Sequence, residues 1–237
     1  PFPVAPGSTA RFQMPTVPAD KSKSRPRTSR TWYAKFLYIV FNNGFRLLWM
    51  VYLRLRVFRS DRFPDRGAAL ICSNHQSHLD PILVANACSK RYISFVARES
   101  LFRFRPFGWL IRTFGAFPIN RDAGLGGIKT TLKKLKNGEM VLIFPEGTRT
   151  PDGQLKEFKS GFCAIARRGR VPIIPLAIEG AYEAWPRSSR IPGMGRVRIK
   201  TGEPIPVEKI AELSDEALTS LVQQAVAQLQ SELNAEH

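Results

Sequence analysis

The chain has 237 residues, 43% of them hydrophobic, three cysteines and a formal net charge of +17. That suits one large domain, or one domain with appendages, built on a real core. Three cysteines without C-x-x-C give no sign of a disulfide framework, and no run of about 18 apolar residues marks a plain membrane span.

The charge is unevenly spread. Residues 1–31 carry a net +5 and residues 207–237 a net −5, so residues 32–206 hold the full +17. An excess of this size favours a polyanionic partner: nucleic acid, an anionic membrane or a phosphorylated ligand. Composition does not choose among them. Cys72, Cys88 and Cys163 read as small core residues of a reducing compartment. No signal-peptide pattern opens the chain, which begins with Pro1 rather than Met.

Residues 1–31 hold six of the 18 prolines together with many Ser, Thr and basic residues, and they read as a disordered basic tail. Residues 32–60 change character. Trp32, Tyr33, Phe36, Tyr38, Phe41, Phe45, Trp49, Tyr52 and Phe58 interleave with Lys35, Arg46, Arg54, Arg56 and Arg59. The interruption at Asn42, Asn43, Gly44 and Arg46 disfavours a spanning helix, since an arginine at mid-membrane costs about 2.5–3.5 kcal/mol. Two amphipathic helices lying in the membrane interface are expected, with arginine heads reaching phosphates. A buried helical hairpin is the other reading.

Residues 61–237 alternate between the two periodicities. Strands are expected at 68–72, 92–97, 116–120, 140–144, 171–178 and 196–202. Helices are expected at 81–89, 107–115, 126–138, 161–169 and 214–235, with Asn137-Gly138 and Gly169 as stops. The pattern predicts an α/β fold, a layered mixed sheet flanked by helices.

Two of the three histidines fall in "NHQSHLD" (74–80), between an expected strand and an expected helix. At such a junction His75 and Asp80 can converge; on a continuous helix, five residues apart, they would diverge. A carboxylate on one imidazole nitrogen fixes the tautomer and leaves the other nitrogen as an outward base. Two other readings stand beside it. Ser77-x-x-Asp80 is a capping-box pattern, with Ser77 capping the helix. Cys72, His75, His78 and Asp80 have a spacing that a metal could use, although no second ligand cluster follows.

Three further strand ends carry cations. "FPEGTRT" (144–150) offers Gly147 for a tight turn, Arg149 as a planar fork for phosphate, and Glu146 to orient that arginine or bind a ligand hydroxyl. "INRD" (119–122) supplies Arg121. "FKSG" (158–161) places Lys159 at the start of a helix, where anions are favoured. No nucleotide P-loop is present.

The order and spacing of these blocks resemble those of the glycerolipid acyltransferases. "NHQSHLD" is similar to their N-H-x-x-x-x-D block, "GAFPINRD" to the second, "FPEGTR" to the third and "VPIIPLAI" to the fourth. The resemblance covers roughly residues 66–205 and is greatest to the lysophosphatidate (1-acylglycerol-3-phosphate O-) acyltransferases. It implies transfer of an acyl group from acyl-CoA or acyl-carrier protein to the sn-2 hydroxyl of lysophosphatidate, giving phosphatidate. It implies His75 as base with Asp80 as its partner, and Arg121, Glu146, Gly147, Arg149 and Lys159 around the glycerophosphate. It also implies association with a membrane, here on its cytoplasmic face. No cofactor, metal or nucleic acid is expected. The alternatives are acylation of another lysolipid, such as lyso-ornithine lipid or lysophosphatidylglycerol, a basic nucleic-acid-binding protein, and a metal-dependent hydrolase. His78 stands where related motifs carry a bulky aromatic or apolar residue, and is expected to pack.

Overall fold

The computed structural model describes residues 51–88, 91–119, 125–186, 188–189 and 191–235. The basic tail, residues 32–50 of the aromatic segment, and Arg121 lie outside the described residues.

Among the described residues seven strands form one mixed sheet: β1 (Arg56–Phe58), β2 (Ala69–Ser73), β3 (Ile93–Arg98), β4 (Ala116–Ile119), β5 (Met140–Ile143), β6 (Ile173–Glu179) and β7 (Arg198–Thr201), in the order β1-β7-β6-β2-β5-β3-β4. Strands β2 to β6 run parallel, and β7 and β1 run the other way. Every residue of β2 is buried, as expected of a strand covered on both faces.

The alternation along β2 assigns the two layers. Ile71 faces a core shared with α1 (Asp80–Ala87) and α2 (Arg105–Thr113) through Leu83, Val84 and Ile111. Leu70 and Cys72 face the opposite core, shared with α3 (Leu125–Lys136) and α4 (Gly161–Gly169). A short helix α5 (Ala181–Ala184) joins the first core. Helices α6 (Val207–Glu212) and α7 (Asp215–Ala235) join the second, α7 through Leu218, Val222, Val226, Leu229 and Leu233.

Adjacent strands β2 and β5 send their following helices to opposite faces, α1 to one and α4 to the other. That makes a crevice at their C-terminal ends, where ligands gather in open α/β sheets.

Two local expectations are corrected. The expected helical segment 32–60 does not reach its end as helix: Arg56–Phe58 is an edge strand paired with Arg198–Lys200, and Leu53 and Leu55 are buried in the core. Long-range pairing overrides the local amphipathic pattern there. At the end of α4 it is Arg170, at φ 49°, that takes the left-handed conformation, not Gly169. Gly169 serves contact instead, because a Cβ there would lie 3.2 Å from Leu135 Cδ1 of α3.

Candidate functional site

Strand β2 delivers "NHQSHLD" to the crevice, and its first residue fastens the exit. The Asn74 amide donates to Ile178 O and accepts from Ile178 N–H, both at 2.8 Å, so a side chain continues the pairing to β6. His75 follows, and the 144–150 loop from β5 clamps its backbone. Its N–H donates to Glu146 Oε1 at 2.9 Å, and its carbonyl accepts from Thr150 N–H at 2.8 Å.

The imidazole is held on two sides. Nδ1 lies 2.8 Å from Asp80 Oδ2, and the ring stacks on Phe144 with centroids 3.9 Å apart and planes 13° from parallel. Asp80 is fully buried, and its Oδ2 also accepts the N–H groups of Gln76 at 2.6 Å and Ser77 at 2.7 Å. Three donors on one oxygen fix the carboxylate and thereby the ring. The tautomer that this favours carries the proton on Nδ1 and leaves Nε2 as the acceptor. The His75 side chain retains 16% of its exposure.

The expected cap is replaced by a different arrangement. Asp80 does reach back to Ser77 N–H, but Leu79 is the N-cap residue of α1, and Ser77 Oγ accepts from Leu79 N–H and donates to Trp185 O. Gln76 is buried and ties the block to α5, its Oε1 accepting from Ala181 N–H at 3.2 Å. Cys72 points away from His75 into the opposite core, where burial pushes its thiol well up. Among the described residues no three His, Cys, Asp or Glu side chains converge in a way that would hold a metal ion.

His78 is exposed and tilts against Trp185, ring centroids 5.3 Å apart. Loss of solvent and then the charges of Arg149 and His75 hold it below the usual imidazole range, with Asp80 opposing. The field of Arg149 therefore reaches this rim of the site. Gly147 turns at φ +74°, and Lys159 folds over that turn: a Cβ on Gly147 would lie 3.6 Å from Lys159 Nζ. Lys159 N–H donates to Pro145 O, and the residue just precedes the N-terminus of α4.

Glu146 is buried with Oε2 lacking a hydrogen-bond partner. Its pKa is raised to about 7, first by burial, with the Asp80 charge adding and the His75 N–H and Lys156 opposing. Of the expected site residues, His75, Asp80, Glu146, Gly147, Arg149 and Lys159 gather at the ends of β2 and β5. Asn74, Gln76, Phe144 and Thr150 complete the frame. All four lie inside the quoted blocks, yet nothing local singles them out; their roles depend on the β2–β5 and β2–β6 register.

Comparison with known proteins points the same way. An acyltransferase family model matches residues 54–179, just over half of the chain. The 1-acyl-sn-glycerol-3-phosphate acyltransferase of Bacillus subtilis (strain 168) is 28% identical over 76% of this chain and 90% of its own. That of Streptococcus pneumoniae is 29% identical over 78% of this chain and 68% of its own. The crystal structure of the 1-acyl-sn-glycerophosphate (LPA) acyltransferase PlsC from Thermotoga maritima is 27% identical. It superposes with a TM-score of 0.68 over 86% of this chain and 93% of that one.

Proposed function

The chain belongs to the acyltransferase family, and on that premise we propose that it moves a fatty acyl group from a thioester to the sn-2 hydroxyl of lysophosphatidate, giving phosphatidate. The donor is acyl-CoA or an acyl-carrier protein. The observation that carries the reading is the 2.8 Å contact between His75 Nδ1 and Asp80 Oδ2 at the strand exit.

In this reading His75 Nε2 takes the proton of the substrate hydroxyl as its oxygen attacks the thioester carbonyl. The tetrahedral intermediate collapses with cleavage of the C–S bond, and the imidazolium returns its proton to the departing thiolate. A positioned base of this kind contributes about 10²–10⁴-fold. Asp80 orients the ring and stabilises the imidazolium without taking the proton itself. The substrate alcohol is the nucleophile, so no acyl-enzyme is required. Burial keeps the Cys72 and Cys163 thiols above their ordinary range, which suits them to packing rather than attack. Gly147, Arg149 and Lys159, with Glu146, take the glycerophosphate; Arg121 joins them on its sequence block alone.

The enzyme works at an anionic membrane, on the cytoplasmic face. Support comes from where large apolar side chains are exposed. Leu101 and Phe104 follow β3, Ile191 and Met194 follow β6, and Val51 adjoins Tyr52, whose hydroxyl donates to Pro192 O. The topology puts these five at the sheet edge that carries His75, among the exposed arginines Arg54, Arg103, Arg105 and Arg196; the sixth large apolar residue exposed among those described, Trp109, lies on α2. Apolar tips among cations suit a monotopic contact with anionic headgroups.

The test is a panel of lysolipids with a palmitoyl thioester. Phosphatidate formed from lysophosphatidate, at rates well above those on lyso-ornithine lipid and lysophosphatidylglycerol, is the expected result. Preference for either of the others would replace the substrate named here.

A further inference from the structure

A second cationic feature lies away from the site. Helix α3 and the end of α4 enclose a groove of about 670 Å³. Ile128 and Leu132, half-buried and four residues apart, form its floor. Lys129, Lys133 and Lys136 rise on one side at helical spacing, and Arg168 of α4 faces them. All four are exposed, and among the described residues none of them is ion-paired and no acidic side chain lines the groove.

We propose that this groove docks an amphipathic, acidic helix of a carrier protein that delivers the acyl group as its thioester. The proposal rests on the thioester-dependent transfer described above and names the donor that it left open. A strip of two apolar residues flanked by cations over about 11 Å of helix matches a partner helix with an apolar stripe between carboxylates. The shape separates this surface from the membrane-facing edge: here the apolar side chains are recessed beneath the cations, whereas Phe104, Ile191 and Met194 protrude.

Placement is suitable too. Because β4 and β5 are parallel strands joined by α3, the helix begins at the edge where the strands end and runs back along the sheet. The groove lies about 6–16 Å down α3 from that edge, so the acyl arm of a carrier seated there must climb this distance and cross the edge to reach His75.

The experiment compares the parent chain with the combined Lys129→Glu, Lys133→Glu, Lys136→Glu variant. Kinetics are measured on lysophosphatidate with palmitoyl-acyl-carrier protein and with palmitoyl-CoA. Binding of the unacylated carrier is titrated separately. The KM for the carrier thioester is expected to rise about tenfold or more with kcat held, and carrier binding to weaken equally. Turnover of palmitoyl-CoA is expected to stay within about twofold, which also reports an intact fold. If the triple variant melts lower, Lys133→Glu alone carries the comparison. Equal losses with both donors, no loss with either, a parent chain that neither binds nor uses the carrier, or loss of phosphatidylglycerol-vesicle binding in place of carrier binding would each overturn the proposal. A parent chain inactive with both donors that still binds the carrier through these lysines would overturn the acyl-transfer reading and leave the docking site standing.

Discussion

Glu146 Oε1 accepts the backbone N–H of His75 at 2.9 Å, so a carboxylate from the loop after β5 positions the main chain of the residue after β2. Its other oxygen is buried without a hydrogen bond, and its pKa stands at about 7 against an ordinary 4.5. The folded state thus holds this proton more tightly than the unfolded chain. The stabilisation is complete below about 4.5 and is lost as pH rises through about 7. Glu146→Gln keeps an acceptor for His75 N–H and removes the ionisation. It is expected to match the parent in urea unfolding at about pH 4 and to exceed it at about pH 8, by about 1–3 kcal/mol. A variant weaker than the parent at the higher pH would mean that the ionised carboxylate has a partner worth more than its burial costs.

His75 and Asp80 make separable predictions. His75→Ala is expected to lower acyl transfer by about 10²–10⁴-fold with lysophosphatidate KM little changed. Asp80→Asn is expected to fall within a similar range, because the ring loses the acceptor that sets its tautomer. The Asp80 change also weakens the fold, since Oδ2 holds two backbone N–H groups besides the imidazole. Single-turnover rates alongside melting curves separate the two effects. Near-parental turnover in His75→Ala would remove the base from the mechanism.

How much of this was open to sequence reading follows from where each interaction sits. The strands β2 and β5 are apolar runs between turn residues, so burial alone identifies them. The His75–Asp80 pair was legible because five residues across a strand-to-helix junction bring two side chains together. Strand β1 was not: Arg56, Val57 and Phe58 extend an amphipathic pattern, and their partners Arg198–Lys200 lie some 140 residues away in sequence. The clamp of His75 by Glu146 and Thr150, and the Phe144 stack, depend on β2 and β5 being neighbours in register, which no local pattern encodes.

Arg149 and Lys159 are expected to act on binding. Each charge-assisted hydrogen bond to phosphate is worth about 1.5–3 kcal/mol, so Arg149→Ala should raise the KM for lysophosphatidate by about 10–100-fold. Arg149→Lys keeps the charge and loses the planar fork, and should recover only part of that loss. Lys159→Ala should give a smaller rise, because its ammonium is an exposed point charge over the Gly147 turn. Steady-state kinetics over a range of lysophosphatidate concentrations decide this, and a pure fall in kcat would move both residues from substrate binding to the chemical step.

The exposed apolar edge predicts a membrane phenotype without a chemical one. Phe104→Gln combined with Met194→Gln should weaken sedimentation with phosphatidylglycerol vesicles by about tenfold or more, since each substitution removes an apolar contact worth about 1.5–3 kcal/mol when fully buried and about half that when half-inserted. Turnover of lysophosphatidate presented in detergent micelles should hold. Unchanged vesicle binding would remove Phe104 and Met194 from the membrane contact.

Asn74 tests whether the strand exit itself is built for the site. Its amide satisfies both the N–H and the carbonyl of Ile178, each at 2.8 Å and each buried. Asn74→Ala leaves both groups without a partner, and each such loss costs about 1–3 kcal/mol. Asn74→Asp still accepts from Ile178 N–H but turns the second bond into an oxygen–oxygen contact, with a buried charge added. The aspartate variant is therefore expected to be at least as destabilised as the alanine variant, despite being closer in shape. Because His75 is the next residue, both variants should also lose kcat beyond what their reduced folded fraction explains. Urea unfolding together with kcat per folded molecule checks this. If kcat per folded molecule stays at the parental value, Asn74 pairs β2 with β6 and the 144–150 loop alone positions His75.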